Sequence, residues 1–315
     1  MTRLPYSYHT ADVFTDVPFG GNQLAVLPDA AGLSDDQMLA IAGEFNFSET
    51  VFVLPPEDAG NTRRLRIFTP GGELPFAGHP TVGAAYVLAH TGEVELDGDE
   101  TRIVFEEGVG PVPVLIKARG GKPVFTQLTA ARIPERGPAP TDAAVLADVL
   151  SLEPSDIRYD ERFMPEAVSA GVPFLFVPLR SLDALGRARV RQDVWERTLK
   201  DSWAPEVYVF VEEAESAKRG GVRAGDGVIR SRMFAPTLGI SEDPATGSAA
   251  AAFGGYLAWR STTRDGMLKT LIHQGIEMGR PSRLEVETDV DAGVVKAVRV
   301  GGASVLVSSG TLHHP

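Results

Sequence analysis

The stretch Phe68-Thr69-Pro70-Gly71-Gly72-Glu73-Leu74-Pro75-Phe76-Ala77-Gly78-His79-Pro80-Thr81-Val82-Gly83-Ala84-Ala85 returns in outline as Phe234-Ala235-Pro236, then Glu242-Asp243-Pro244, then Gly247-Ser248-Ala249. Each version follows a strand-like run, Arg63 to Ile67 and Val228 to Met233. Each then has an acidic loop residue, Glu73 or Glu242, a polar residue before proline, His79-Pro80 or Asp243-Pro244, and a small-residue segment. Working outward, Gly21-Asn22-Gln23-Leu24-Ala25-Val26 resembles Gly171-Val172-Pro173-Phe174-Leu175-Phe176. Likewise Glu49-Thr50-Val51-Phe52-Val53 resembles Glu206-Val207-Tyr208-Val209-Phe210. The offsets stay near half the chain length and the order is kept. One such match arises easily by chance, but four in register do not, so the chain reads as an internal duplication.

The expected architecture is therefore α/β, built from two similar halves spanning residues 1–128 and 129–300. The C-terminal segment 301–315, with a strand from Ser304 to Ser308, is expected to pack back on the first half. Pro134 to Pro140 is the candidate linker. Ser34-x-x-Gln37 is a capping box ahead of an apolar-periodic run. Helices are also expected from Thr141 through Leu150 and from Arg191 to Leu199. Alternation suggests strands at Val94 to Leu96, Thr101 to Phe105, Leu284 to Val286 and Val294 to Val300.

Proline suits the first helical position and pushes its predecessor out of helical geometry. His79 and Asp243 are accordingly expected to be the N-caps of helices running from Pro80 to about His90 and from Pro244 to about Trp259. Both segments are small-residued and apolar all round, which suits helices enclosed by a curved sheet. Their N-termini would offer unpaired N–H groups to an anion such as a small carboxylate.

Composition narrows the function. At 315 residues, with 43% hydrophobic and 23% charged residues, two ordinary globular domains are the default. The N-terminus has no apolar signal-like run, and Gly247 to Trp259 is too short to span a bilayer, so a soluble cytoplasmic protein with no membrane partner is expected. A net charge of −12 opposes a nucleic-acid partner. The basic cluster Arg63, Arg64 and Arg66 reads as the wet face of a strand. There is no cysteine, which removes disulfides, thiolate metal sites and thiol nucleophiles together. Four of the six histidines show no paired ligand spacing, and His313-His314 sit at the chain end. There is no P-loop, and the glycine-rich piece Gly220 to Gly227 reads as a hairpin turn. Neither a metal nor an organic cofactor is expected.

Ser48-Glu49-Thr50 precedes the apolar run Val51 to Leu54. A carboxylate entering such a strand is either edge-exposed or held in a partly desolvated cleft, where it could serve as a general acid–base group. Pattern alone leaves both readings open.

These residues carry a resemblance. Phe47-Ser48-Glu49-Thr50, the run from Phe68 to Thr81, Glu242 to Ala249, and Gln274-Gly275 with Glu277 to Ser282 resemble the signatures of the phenazine-biosynthesis (PhzF-like) isomerase family, and the similarity spans essentially the whole chain. The resemblance implies a diaminopimelate-epimerase-like fold. In that fold each half wraps a curved, mostly antiparallel sheet around a central helix, and the active site lies between the halves. It implies Glu49 as the acid–base carboxylate, His79 and Asp243 as its polar assistants, and Ser48, Gly78, Gly247 and Ser248 as substrate-binding positions. One departure is Asn22-Gln23, where the family often has Asn-Pro. The implied activity is a cofactor-independent isomerisation of a small carboxylate-bearing substrate, cyclic or amino-acid-derived, by a homodimer. Epimerases of the wider fold use one thiol from each half, a device closed to a chain without cysteine. The alternatives are a two-base epimerase or racemase using Glu49 with His79 or Asp243, and a non-catalytic small-molecule-binding protein.

Overall fold

The computed structural model describes residues 5–213 and 227–313, which form two compact units: Met1–Ala131 with Gly301–Pro315, and Arg132–Val300. In the first unit the strand Tyr6–Val13 pairs antiparallel with both Asn22–Leu27 and the C-terminal strand Ser304–Leu312. Asn22–Leu27 then runs parallel to Glu49–Leu54, a pairing that requires a crossover. The crossover is the helix Asp35–Phe45. Its capping box forms as the sequence predicts, with Gln37 N–H donating to Ser34 Oγ and Ser34 N–H donating to Gln37 Oε1. Arg63–Thr69 adds antiparallel to Glu49–Leu54 and turns into the short strand Gly72–Leu74. The helix Gly78–Thr91 follows, and then the meander Glu100–Glu107, Gly110–Arg119 and Lys122–Thr129.

Every residue of that helix from Gly78 to Ala89 is buried. This is why it is apolar on all sides: no face meets water. It lies so close to the sheet that a Cβ on Gly83 would fall 2.5 Å from a Leu24 methyl and 2.6 Å from a Val13 methyl, so any larger residue there must push those side chains aside.

The second unit repeats the order of pairings. Glu166–Ser169 is antiparallel to Pro173–Pro178, which runs parallel to Glu206–Glu212. The crossover holds the short helices Leu182–Arg187 and Gln192–Thr198. Gly227–Ala235 adds antiparallel and turns back through Ile240–Asp243. The helix Gly247–Ala258 comes next, then Gly266–Gln274 parallel to Gly227–Ala235 and antiparallel to Ser282–Asp291. Around this helix Phe176, Tyr208, Phe210, Phe253 and Tyr256 form a continuous aromatic cluster, the tightest pair being Phe210 and Phe253 at 4.7 Å between centroids.

Several expectations are corrected. The residues before proline are not the helix caps. Ala77 and Thr246 are, His79 is the second helical residue, and Asp243 ends a strand four residues before Gly247. Pro80 occupies the third helical position, where its missing N–H costs nothing because the first four amides have no intrahelical partner anyway. The register of the repeat moves with this. Ile67 pairs with Leu74 as Met233 pairs with Asp243, so Pro75 matches Pro244 and His79 matches Ser248. Val94 to Leu96 is not a strand, and the expected Thr141 helix is Ala143–Val149, capped by Asp142, whose side chain accepts from Ala144 N–H. Glu135–Arg136, inside the expected linker, is a short strand paired with Val168 and Ser169. The Gly220 to Gly227 turn and His314 lie outside the described residues, apart from Gly227 itself. Among the described residues, no helix is long and apolar enough to cross a membrane.

Candidate active site

In the first unit the crossover helix ends at Asn46, which takes a left-handed conformation (φ 51°), and the chain re-enters the sheet three residues later at Glu49. That turn leaves Ser48 half-buried and places Glu49 opposite Leu24 at the start of its strand, only 8% exposed. The first turn of the buried helix brings Gly78 and His79 to the same place. His79 is 3% exposed, and its Nε2 lies 3.4 Å from Glu49 Oε2. Its Nδ1 lies 3.2 Å from the side-chain amide of Asn22, the first residue of the neighbouring strand.

Burial drives the His79 imidazole down to about 3, outweighing the Gln23 backbone, which favours the charged ring. The ring is therefore neutral across physiological pH. The Asn22 amide lies against Nδ1, and Nε2 faces the Glu49 carboxyl. Glu49 is thus a buried carboxyl against a neutral imidazole rather than one half of an ion pair.

In the second unit Asp243 is buried and accepts from Thr246 Oγ1 at 2.5 Å. The fully buried Gln274 fixes this corner: its Nε2 donates to the Asp243 carbonyl at 2.8 Å and to Thr246 Oγ1 at 3.0 Å. The next residue must be glycine. Gly275 has φ +74°, and a Cβ there would stand 2.6 Å from the Pro244 carbonyl and 2.4 Å from that of Arg280. Thr246 therefore spends its hydroxyl on Asp243 and not on the helix it precedes. Neither Ala77 nor Thr246 makes a side-chain cap, so both buried helices start with backbone N–H groups unfilled by a capping side chain, at Gly78 and His79 and at Gly247 and Ser248.

The structure thus brings Glu49, His79, Ser48 and Gly78 together in one unit, and Asp243, Gly247 and Ser248 in the other. Asn22, Thr246 and Gln274 were quoted in the sequence motifs without a role, and the structure gives each one a hydrogen-bonding task. Glu206 went unassigned too. It holds the register position of Glu49, pairing with Phe174 as Glu49 pairs with Leu24. It is 3% exposed, and among the described residues neither oxygen makes a hydrogen bond of normal geometry. Burial pushes its carboxyl up to about 8, although the nearby Thr237 backbone favours the anion. Among the described residues, no group of three or more His, Asp or Glu side chains is placed to hold a metal ion.

A sequence model of the phenazine biosynthesis-like proteins (PhzC–PhzF) matches residues 11–310. The chain belongs to this family. A PhzF-family phenazine biosynthesis protein from Bacillus anthracis superposes with a TM-score of 0.83 at 26% identity, covering 98% of this chain and 99% of that one. A Mesorhizobium japonicum protein named as an uncharacterized isomerase is 40% identical over 97% of this chain and 98% of its own. The trans-2,3-dihydro-3-hydroxyanthranilate isomerase of Pseudomonas fluorescens is 35% identical over 98% and 99%. This PhzF-family chain is accordingly an isomerase with the epimerase-like fold that the sequence implied.

Proposed function

We propose that this PhzF-family isomerase moves a proton between two carbons of a small carboxylate-bearing substrate, cyclic or amino-acid-derived, without metal or organic cofactor. Glu49 as carboxylate takes the proton from an acidic C–H, the freed electron pair shifts the neighbouring double bond, and the new carboxylic acid returns the proton to a second carbon. Atoms and charge balance without any co-reactant. His79, neutral, packs against the Glu49 carboxyl at 3.4 Å and keeps it in one orientation through both transfers, and Asp243 assists in the same reaction. Ser48, Gly78, Gly247 and Ser248 bind the substrate carboxylate through hydroxyls and helix-start amides.

The observation that carries this reading is the buried Glu49–His79 contact at 3.4 Å, with the ring held neutral by burial. A general base works best when it is positioned and shielded from bulk water. The P. fluorescens relative, whose name specifies a cyclic amino-carboxylate, supports the substrate class. The two-base epimerase is less favoured because burial leaves His79 too weak a base to partner Glu49, and a binding-only protein would have no need of a shielded carboxyl. The reading further takes the protein to act as a cytoplasmic homodimer, which light scattering would reveal as twice the 33.7 kDa chain mass.

The test is turnover in heavy water, beginning with trans-2,3-dihydro-3-hydroxyanthranilate. Deuterium is expected at the newly protonated carbon, in proportion to how fast the Glu49 acid exchanges with solvent. An inverted stereocentre with no shifted double bond would replace this reading with the epimerase one. No turnover of any cyclic or amino carboxylate would leave only binding.

A further inference from the structure

Glu107 ends the strand Glu100–Glu107 and is 8% exposed. Its side chain follows the inward set of Thr101, Ile103 and Phe105, whereas Glu106 turns the other way, to Asn61 and the amides of Glu57 and Asp58. Glu107 Oε1 stands 2.7 Å from Oγ1 of Thr81, which is itself fully buried in the first turn of the helix carrying His79. The same Thr81 Oγ1 stands 2.8 Å from the carbonyl of Ala77, the residue that starts the helix.

A hydroxyl has one proton, and a backbone carbonyl can only accept. If Thr81 donates to Ala77, the short contact with Glu107 needs a proton from the glutamate. If Glu107 is ionised, one of the two contacts faces lone pair to lone pair. We propose that Glu107 is carried as the protonated acid, its O–H donating to Thr81 so that Thr81 holds the Ala77 carbonyl, and that this chain of bonds positions Gly78 and His79.

The surroundings agree. Across its hairpin Glu107 pairs with Gly110, and the helix turn it faces contributes the neutral His79 and the uncharged Thr81; Arg64 and Arg66 line the same surface cavity as Glu107, but they are spent on Glu57 and on Glu73. Lys117 and Arg119 lie at the far end of the neighbouring strand, where Lys117 pairs with Glu100. Glu107 Oε2 is buried with no hydrogen-bond partner among the described residues. A buried anion in such a place is costly and a neutral acid far less so. Burial accordingly pushes the carboxyl up to about 8, against the opposing pull of the Thr81 hydrogen bond. Glu107 is thus a positioning residue. It touches no reacting atom in the proposed mechanism and acts through the helix start.

Two variants separate this role from a merely structural one. Glu107→Gln keeps a donor for Thr81 and cannot titrate, while Glu107→Leu removes the donor. Infrared difference spectra of wild type against Glu107→Gln are expected to show a carboxylic-acid carbonyl band at neutral pH, shifted in heavy water and lost above about pH 8. Hydrogen exchange of the amides from Gly78 to Val82 should be unchanged in Glu107→Gln and faster in Glu107→Leu. These two readouts are independent of the isomerase reading. The third rests on it: kcat should fall on the order of 10–10² fold in Glu107→Leu with little change in KM, the scale expected of a misplaced catalytic group. Glu107→Gln should retain kcat and lose the wild type's decline near pH 8. An absent acid band overturns the protonated state. Exchange that quickens and kcat that falls equally in both variants, or no change in either variant, overturns the hydrogen-bonding role. Failure of turnover in the wild type would fall on the function and leave the spectroscopic result standing.

Discussion

Glu49→Gln is expected to lower kcat by about 10²–10⁴, the usual cost of losing a positioned general base, while leaving ligand binding intact. Glutamine keeps the volume and reach of glutamate, so the His79 ring still meets a polar neighbour and the strand start at Glu49 is undisturbed. What disappears is the group that accepts the proton. His79 offers no substitute as a strong base, because burial holds its conjugate acid down at about 3. Rates and binding should be measured together, by steady-state kinetics and by calorimetry with a substrate or carboxylate analogue. If Glu49 were only a buried structural residue, the change would appear in stability and be invisible in rate. A near-normal rate in Glu49→Gln would therefore sink the mechanism. Full loss of activity together with an inverted stereocentre in the wild-type product would keep Glu49 and move the reading to a two-base epimerase.

Much of this arrangement was legible in the residues, and the misses have physical causes. The capping box at Ser34 and Gln37 is a local device, complete within four residues, and it forms as its spacing predicts. The two helices without a polar face declared their burial because a solvent-facing helix cannot be apolar on every side. The repeat was visible in outline but misaligned by five residues near the helices. Proline marked both places, yet Pro80 sits inside its helix and Pro244 lies in the loop before its own. Strand pairing settled the register where local propensity could not. Glu107 and Gln274 were out of reach for a different reason. Each acts on a residue distant in sequence, Thr81 and Asp243, and no local pattern announces a contact across 26 or 31 positions. Glu206 was in plain view as the counterpart of Glu49, but an acidic residue at a strand start reads as exposed until the fold encloses it.

Arg232→Met should be the most destabilising of the proposed substitutions, by about 3–5 kcal/mol, because it removes one side of a buried charge pair and leaves the other. Arg232 lies mid-strand in Gly227–Ala235 and is 2% exposed. Its guanidinium donates to both oxygens of Glu242 at 2.7 Å and, from Nη1, to the carbonyls of Leu185 and Ala188 at 2.9 and 2.8 Å. Methionine fills a similar volume but donates nothing, so the Glu242 carboxylate loses its cation and two buried carbonyls lose their donor. Glu242 directly precedes Asp243, whose strand pairs with Met233 beside the missing arginine. The loss should therefore reach function too, through a looser Asp243–Thr246–Gln274 corner. Denaturant unfolding would measure the effect, provided the m-value shows that the variant still unfolds in one step. Adding Glu242→Leu to Arg232→Met should restore part of the loss, since the stranded carboxylate is then gone. A single variant within 1 kcal/mol of wild type would mean that the pair is held open to water and that Asp243 takes its position from Gln274 alone.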